Sequence, residues 1–325
     1  MTKTLQCVSP IDGSTYAERQ SISTADASAI VANARIAQKK WAARPLQERI
    51  DLVMAGVVAV GDMNDQIVPE LAWQMGRPIR YGGEFGGFNE RASYMAKIAN
   101  EGLADLNIDG EGDIDRIIKR IPHGVVLVVA PWNYPYMTAI NTVAPALIAG
   151  NAVVLKHATQ TLLVGERMVQ AFASAGVPAD VFQNVFLDHD TTSELISDRA
   201  FDFINFTGSV GGGKAMERAA AGTFTGVGLE LGGKDPGYVM EDADLDAAVD
   251  GALIAKYRNS GQTCVCANRI YIQSGIYDAF CERFSEKASG LVVGNGLEES
   301  TQQGPLISNN AMKKVSLHID DAKNK

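Results

Sequence analysis

The stretch "GVVLVVAP" at residues 124–131 is an almost unbroken apolar run rich in valine, and "NAVVLK" at 151–156 repeats its character. Such short runs are typical of strands buried on both faces of a parallel sheet. Between them, "TAINTVAPALIAG" at 138–150 indicates a helix. Parallel strands need a crossover of this kind, so the three segments together predict an α/β fold.

The same alternation continues downstream. "TLLVGERMVQAFASAG" at 161–176 predicts a helix that Gly176 ends, with Pro178 just beyond. "DVFQNVFL" at 180–187 and "FDFINFTGS" at 201–209 follow as predicted strands. The pattern predicts a doubly wound sheet, in which ligands bind at the carboxyl ends of the strands.

The flanking regions suggest two domains, 1–225 and 226–325. Residues 23–100 are predicted to be helical, and "DIDRIIKRIPHG" at 113–124 to be an exposed hairpin. The pattern changes again near "GTFTGVGLELGGKDP" at 222–236. A helix over about 244–258, a strand at "RIYIQ" and a helix at "GIYDAFCERFSEKASG" complete the second α/β domain.

Composition excludes several classes of protein. The chain has 325 residues, 46% of them hydrophobic, and a net charge of −9 without the basic stripe that nucleic acids require. No apolar run reaches the roughly 18–20 residues of a membrane span, and the N-terminus lacks an apolar signal core. The four cysteines are too sparse for a disulfide framework, and the four histidines lack metal-ligand spacing. We therefore expect a cytoplasmic protein without a metal site.

Two cysteines lie one residue apart in "NSGQTCVCANR" at 259–269. Cys264 follows a Gly-Gln-Thr turn after a helix, where an exposed thiol can be activated as a nucleophile. The alternative is a small buried hydrophobe, the usual state of a free cysteine. A zinc half-site is disfavoured because the chain has no second ligand pair.

Two polar residues extend the candidate site. Glu230 in "LELGGK" lies at an apolar, glycine-flanked strand end, where a carboxylate can serve as a general base. Asn133 in "PWNYP" is held between prolines and is suited to donating to a developing oxyanion. Each has an ordinary alternative, a surface glutamate and a turn asparagine that bonds its own backbone.

Four separated motifs occur in order: "APWNYP" at 130–135, "FTGS" at 206–209, "LELGGK" at 229–234 and "GQTC" at 261–264. With these motifs, the chain resembles the aldehyde dehydrogenase superfamily over essentially its whole length. The resemblance implies that residues 1–225 form a Rossmann-like NAD(P)-binding domain. Residues 226–325 would form part of a catalytic domain.

The resemblance also implies a mechanism. Cys264 would attack the aldehyde carbonyl and form a thiohemiacetal, while Asn133 and the backbone N–H of Cys264 stabilise the oxyanion. Loss of hydride to the nicotinamide would leave a thioester, which water activated by Glu230 would hydrolyse. Because Glu230 is present, the resemblance favours release of a free acid over transfer to coenzyme A.

Most of the residues that the resemblance assigns to the cofactor lie in the first domain, 1–225. Lys156 would bond the adenosine ribose. NAD-dependent members tend to carry a glutamate three residues later, where this chain has Thr159, so no carboxylate would repel a 2′-phosphate. The resemblance therefore favours acceptance of NADP as well as NAD. The remaining residues that it assigns to the cofactor are Trp132, Thr207, Gly208, Ser209, Gly213 and Leu231.

The region "AKYRNSGQTCVCANRIYIQ" is similar to the succinate-semialdehyde dehydrogenase branch. There Arg258 matches an arginine that binds the substrate carboxylate, a task suited to a planar guanidinium. The alternative is an arginine favoured by the dipole at a helix end. Cys266 matches a cysteine that pairs reversibly with the nucleophile in some members, but it is equally well a passive neighbour.

The chain also departs from that branch. A second carboxylate-binding arginine is expected eight residues after Asn133, where Asn141 lies, and Lys234 stands where asparagine is common. Half of the expected carboxylate clamp is therefore missing. Loss of one charge-assisted bond weakens recognition by about 1.5–3 kcal/mol, so substrate choice should be relaxed. Succinate semialdehyde remains the first expected aldehyde.

Length adds a further expectation. Members of the family are longer, homo-oligomeric subunits, so the resemblance implies that a downstream "E-x-F-G-P" stretch, the rest of the catalytic domain and a C-terminal strand are absent. A rival interpretation is a catalytically silent relative that binds a cofactor or a partner. A thiol esterase is a weaker alternative, because its chemistry would leave the cofactor motifs unused.

Overall fold

This computed structural model describes residues 2–108 and 114–325, and the largest sheet among them has five strands. Its strand order is β7-β6-β5-β8-β9. The bounds of the strands are β1 (Thr4–Val8), β2 (Thr15–Gln20), β3 (Leu106–Ile108), β4 (Arg116–Ile118), β5 (Val125–Ala130), β6 (Ala152–His157), β7 (Phe182–Asn184), β8 (Phe203–Gly208), β9 (Gly226–Leu231), β10 (Asp235–Val239) and β11 (Ala267–Ile272).

The described part of the chain contains eleven α-helices. They are α1 (Thr24–Ala42), α2 (Leu46–Asp62), α3 (Asn64–Met75), α4 (Phe85–Gly102), α5 (Pro135–Ile148), α6 (Leu162–Ser174), α7 (His189–Ser197), α8 (Val210–Ala220), α9 (Leu245–Tyr257), α10 (Tyr277–Ser289) and α11 (Asn309–Lys323). Short 3-10 turns occupy Ile79–Tyr81, Thr159–Thr161, Arg258–Gly261 and Ser274–Ile276.

The valine-rich runs are the buried strands that the sequence predicts. Every residue of β5 and of β6 is buried, and β5 pairs in parallel with both β6 and β8. The crossover between β5 and β6 is α5, most of whose side chains are buried as well. Continuous apolar composition follows from cover on both faces of these strands. The predicted α/β class with a parallel sheet is confirmed.

Several helix boundaries follow local signals. Gly176 has a φ of 94° just after α6, so it supplies the left-handed residue that the sequence predicts there. Asp244 caps α9 by accepting hydrogen bonds from the backbone N–H groups of Asp246 and Ala247. The side chain of Ser209 caps α8 in the same manner.

Residues 106–118 contain a hairpin-like pair that differs from the prediction. β3 and β4 form an antiparallel ladder in which Leu106 faces Ile118. The predicted hairpin, near 113–124, includes β4, whereas β3 precedes that range and residues 119–124 contain no strand. Residue 113 lies outside the described residues.

The chain divides into two compact units. The first comprises the described residues up to 6, 17–64 and 84–230, and the second comprises 7–16, 65–83 and 231–325. In the second unit, β10 and β11 pair in parallel, and α9 and α10 pack on them around Val239, Val249 and Phe280. The boundary between the two units lies between residues 230 and 231. The sequence predicts a domain boundary between residues 225 and 226.

Candidate active site

The first unit gathers the predicted cofactor residues at one edge of its sheet. In the parallel register, Val129 of β5 lies opposite both Lys156 of β6 and Phe206 of β8. Carboxyl ends of parallel strands share an edge, so the residues that follow these strands come together there. They are Trp132 and Asn133 after β5, Thr159 after β6, and Thr207, Gly208, Ser209 and Gly213 at the end of β8 and in α8.

Lys156 is a buried cation, with only 6% of its surface exposed. Burial lowers the pKa of its ammonium group, while the nearby Asp188 carboxylate acts in the opposite direction. Asp188 itself forms an ion pair with Lys3, with Nζ 2.9 Å from Oδ2. A buried ammonium group is suited to oxygen ligands such as ribose hydroxyls or phosphate.

The loop from β8 into α8 has the form of an anion site. Ser209 Oγ accepts a hydrogen bond from the Gly212 N–H at 3.1 Å, and Ser209 O accepts from the Gly213 N–H at 2.9 Å. The first amide groups of a helix favour anions such as pyrophosphate. Packing is a second reason for glycine here, because a Cβ on Gly212 would lie 2.4 Å from the Phe206 ring.

Asn133 follows β5 and is half-buried. Its Oδ1 accepts a hydrogen bond from the backbone N–H of Tyr134 at 3.0 Å. This is the local bond expected of a turn asparagine. It also identifies the amide oxygen, so Nδ2 is the end of the side chain that donates. The geometry is therefore compatible with both interpretations of this residue.

Glu230 is the last residue of the first unit and the next-to-last residue of β9. The strand-end position agrees with the sequence prediction, but the side chain is exposed rather than enclosed by apolar groups. Leu231, which ends β9, is half-buried. The exposure of Glu230 leaves its carboxylate accessible to water.

Cys264 lies in the second unit and is exposed, so it is not the buried hydrophobe of the alternative interpretation. The turn before it is strained, because Asn259 and Ser260 have φ values of 52° and 56°. Ser260 Oγ donates to the carbonyl of Gly304 at 3.0 Å, and Gln262 Oε1 accepts from the backbone N–H of Ile307 at 2.9 Å. These two bonds tie the strained turn to residues 304 and 307.

Cys266 has a different environment from Cys264. It is 1% exposed, and its thiol donates to the carbonyl of Lys256 at 3.4 Å. Lys256 Nζ lies 3.9 Å from Cys266 Sγ and donates to Asn268 Oδ1 at 2.8 Å. All four cysteines are free. Sequence reasoning missed Lys256, since a contact across ten residues between a helix and a loop leaves no local pattern.

Arg258 follows the last residue of α9 and is exposed. This position fits the alternative that the sequence left open, a cation at the negative end of a helix dipole. Its proposed role in binding a substrate carboxylate stays a prediction.

The described residues show neither a metal cluster nor a membrane-spanning helix. Within residues 2–108 and 114–325, the His, Cys, Asp and Glu side chains form no group of three that could hold a metal ion. Over the same residues, no helix combines the length and the apolar character needed to cross a membrane.

The whole chain, residues 1–325, matches the model of the Aldehyde dehydrogenase family. It is 36% identical over 322 residues to a 3-sulfolactaldehyde dehydrogenase from Pseudomonas putida, a match that covers 98% of this chain and 66% of the relative. It is 37% identical over 318 residues to a probable succinate-semialdehyde dehydrogenase [NADP(+)] from Sinorhizobium fredii, covering 96% and 64%.

The fold agrees with this assignment. The crystal structure of succinate-semialdehyde dehydrogenase from Burkholderia pseudomallei superimposes with a TM-score of 0.93 at 32% identity, covering 99% of this chain and 67% of that one. The chain therefore belongs to the aldehyde dehydrogenase family, as its motifs predict. It spans about two thirds of the length of these relatives.

Proposed function

We propose that this chain catalyses the NAD(P)-dependent oxidation of an aldehyde to a carboxylic acid. The observation that carries the proposal is the exposed thiol of Cys264 on a strained, hydrogen-bonded loop, in a chain of the aldehyde dehydrogenase family. A nucleophile must be accessible and also held in one geometry. The loop of Cys264 meets both requirements.

Each step of the proposed reaction is assigned to a residue of this chain. The Cys264 thiolate attacks the carbonyl carbon and gives a thiohemiacetal, whose oxyanion accepts hydrogen bonds from Asn133 Nδ2 and the Cys264 N–H. Oxidation at that carbon leaves a thioester. Glu230, whose carboxylate is accessible to water, removes a proton from the water that hydrolyses the thioester and regenerates the thiol.

The residues at the carboxyl edge of the first unit's sheet fit a dinucleotide. Lys156 would hold the adenosine ribose, and the start of α8, with Ser209, would hold the pyrophosphate. When bound, the cofactor supplies the hydride acceptor. Position 159 carries a neutral threonine, so we propose that NADP is accepted as well as NAD. The relative from Sinorhizobium fredii is named as an NADP(+) enzyme.

We propose an aldehyde that carries an acid group at its other end, with succinate semialdehyde first. The two relatives described above are named for aldehydes that carry an acid group. The group is a sulfonate in 3-sulfolactaldehyde and a carboxylate in succinate semialdehyde. Arg258 is the candidate partner for that group. A reducing, cytosol-like compartment fits the proposal, because catalysis needs a free thiol and all four cysteines are free.

The test is formation of reduced cofactor by the purified 325-residue chain. NAD or NADP is supplied with succinate semialdehyde or with an uncharged aldehyde of the same carbon number. Turnover that disappears in Cys264→Ala but persists in the matched control Cys281→Ala supports the proposal. A folded wild-type chain that binds the cofactor without any turnover would contradict it and favour a silent relative.

A further inference from the structure

One cation of the first unit has no role in the chemistry above. Arg91 lies on α4, half-buried, and its Nη1 donates to Asn141 Oδ1 of α5 at 3.0 Å. Asn141 is neutral and exposed, so this bond orients the guanidinium group without neutralising it. The guanidinium group has four other N–H donors, and the same contact fixes their orientation.

The surroundings of Arg91 leave its charge uncompensated. The positions one helical turn away on α4 are Gly87, Phe88, Tyr94 and Met95, none of them charged. Glu90 is the next residue in sequence, so it projects roughly 100° around the helix. No ion pair to Arg91 is found among the described residues, and α5 contains no charged residue.

Contacts between α4 and the start of α5 set the position of Arg91 along α5. Glu84, just before α4, accepts from the backbone N–H of Met137 at 2.7 Å, and the Phe88 ring lies edge-on to Tyr136. The two helices therefore start side by side. Asn141 lies six residues beyond the first residue of α5, or about 9 Å along its axis.

That spacing suits a short bifunctional molecule. Asn133 comes two residues before α5 begins, and its Nδ2 is the proposed donor to the aldehyde oxygen. A hydrogen bond at each end, of about 3 Å, leaves room for a chain of a few carbon atoms between the carbonyl and an acid group. A guanidinium group binds carboxylate and sulfonate oxygens through paired N–H donors.

We propose that Arg91, oriented by Asn141, binds the acid group of the aldehyde substrate. The inference rests on the proposed function and adds a specificity-determining residue to it. It also accounts for the neutral residue at 141: an asparagine there holds a cation that arrives from the neighbouring helix. Recognition of the acid group then does not depend on Arg258 alone.

The first test compares kcat/KM for succinate semialdehyde and for butanal. The ratio of the two values should fall about 10- to 100-fold in Arg91→Gln, the effect of one charge-assisted pair, and recover in part in Arg91→Lys. Asn141→Asp should also lower it, because an aspartate would compete for the guanidinium group. The matched control is Lys97→Gln on the same helix. An unchanged ratio in Arg91→Gln would overturn the proposal.

A second measurement does not depend on turnover. Calorimetric titration with succinate, which carries the acid group, should show binding to the wild-type chain that weakens about 10-fold or more in Arg91→Gln. Far-ultraviolet circular dichroism confirms that the variant is folded. Equal affinity for both proteins, or no binding by the wild type, would refute the assignment of Arg91. Absence of turnover with normal succinate binding would refute only the oxidation chemistry.

Discussion

Gly233 lies against the carbonyl of Cys264, so closely that a Cβ built on Gly233 would be 1.7 Å from the oxygen. Gly233 also has a φ of 150°, in the region that favours glycine. Any side chain at this position must displace the loop that carries the proposed nucleophile. The second glycine of "LELGGK" is therefore a packing requirement for Cys264.

Gly233→Ala should lower kcat/KM by about 100-fold, because a displacement of roughly 1 Å at a reacting group has an effect of this size. The rate at which iodoacetamide alkylates Cys264 should change as well, because the displaced loop carries the thiol. Gly237→Ala is the control, since its Cβ would lie 3.7 Å from the Ile270 side chain, an ordinary contact. Similar kinetics in the two variants would contradict the steric argument.

Thr159→Glu should shift cofactor choice towards NAD. A carboxylate introduced three residues after Lys156 would repel a 2′-phosphate. The value of kcat/KM for NADP should then fall about 10-fold relative to that for NAD, which corresponds to about 1.4 kcal/mol. Steady-state kinetics with both cofactors measure the ratio. Thr159→Gln has the same shape without the charge and should leave the ratio near the wild-type value. A wild-type enzyme that strongly prefers NAD would count against the prediction.

The two neighbouring cysteines should differ in reactivity. Cys264 is exposed, whereas Cys266 is buried and donates to Lys256, so a bulky maleimide should label Cys264 first under native conditions. Mass spectrometry of the digested chain assigns each label, and Cys281 serves as the half-buried reference. Labelling of Cys266 at the rate of Cys264 would show that the loop opens.

A related experiment tests the predicted redox pairing. If Cys266 forms a reversible disulfide with Cys264, peroxide should inactivate the wild type in a form that thiol reductants restore. Cys266→Ser should then lose more activity irreversibly, because the exposed thiol oxidises beyond the sulfenic acid. Equal recovery of the two proteins would leave Cys266 as a passive neighbour. The bond from Cys266 to Lys256 must break before any pairing.

Local patterns were sufficient for the centre of the fold. β5 and β6 are continuous apolar runs because both of their faces are covered. The amino-acid sequence of each strand is therefore enough to predict its burial. The exposure of Cys264 could not be decided from the cysteine alone, because Cys266, two residues further on, is buried. The motifs supplied the family, but the exposure of Glu230 could not be read from its glycine-flanked setting.

Contacts between distant segments were not predictable. The hydrogen bond from Arg91 to Asn141 joins residues 50 apart in sequence, and neither residue shows a local signal for the other. Residues 7–16 and 65–83 group with the second unit although they lie within the first predicted domain. Such groupings depend on how helices and strands pack, which periodicity within one segment does not encode.

His157 should make the stability of the fold sensitive to acid. It is fully buried at the end of β6, and burial lowers the pKa of its ring from 6.5 to about 4. Its Nδ1 lies 3.0 Å from the Thr161 hydroxyl, and its Nε2 lies 3.3 Å from the Pro135 carbonyl, which suits the neutral ring. Below pH 6.5, the unfolded chain binds the proton more readily than the folded one.

The stabilisation is therefore complete above pH 6.5 and is lost as pH falls towards 4, by at most roughly 3 kcal/mol. Urea unfolding of the wild type between pH 7 and 4.5 should show this decline, which should be much smaller in His157→Gln. His318→Gln, at an exposed position on α11, should follow the wild-type profile. Parallel profiles for the wild type and His157→Gln would mean that the acid sensitivity arises from other groups, because only the buried ring separates these two proteins.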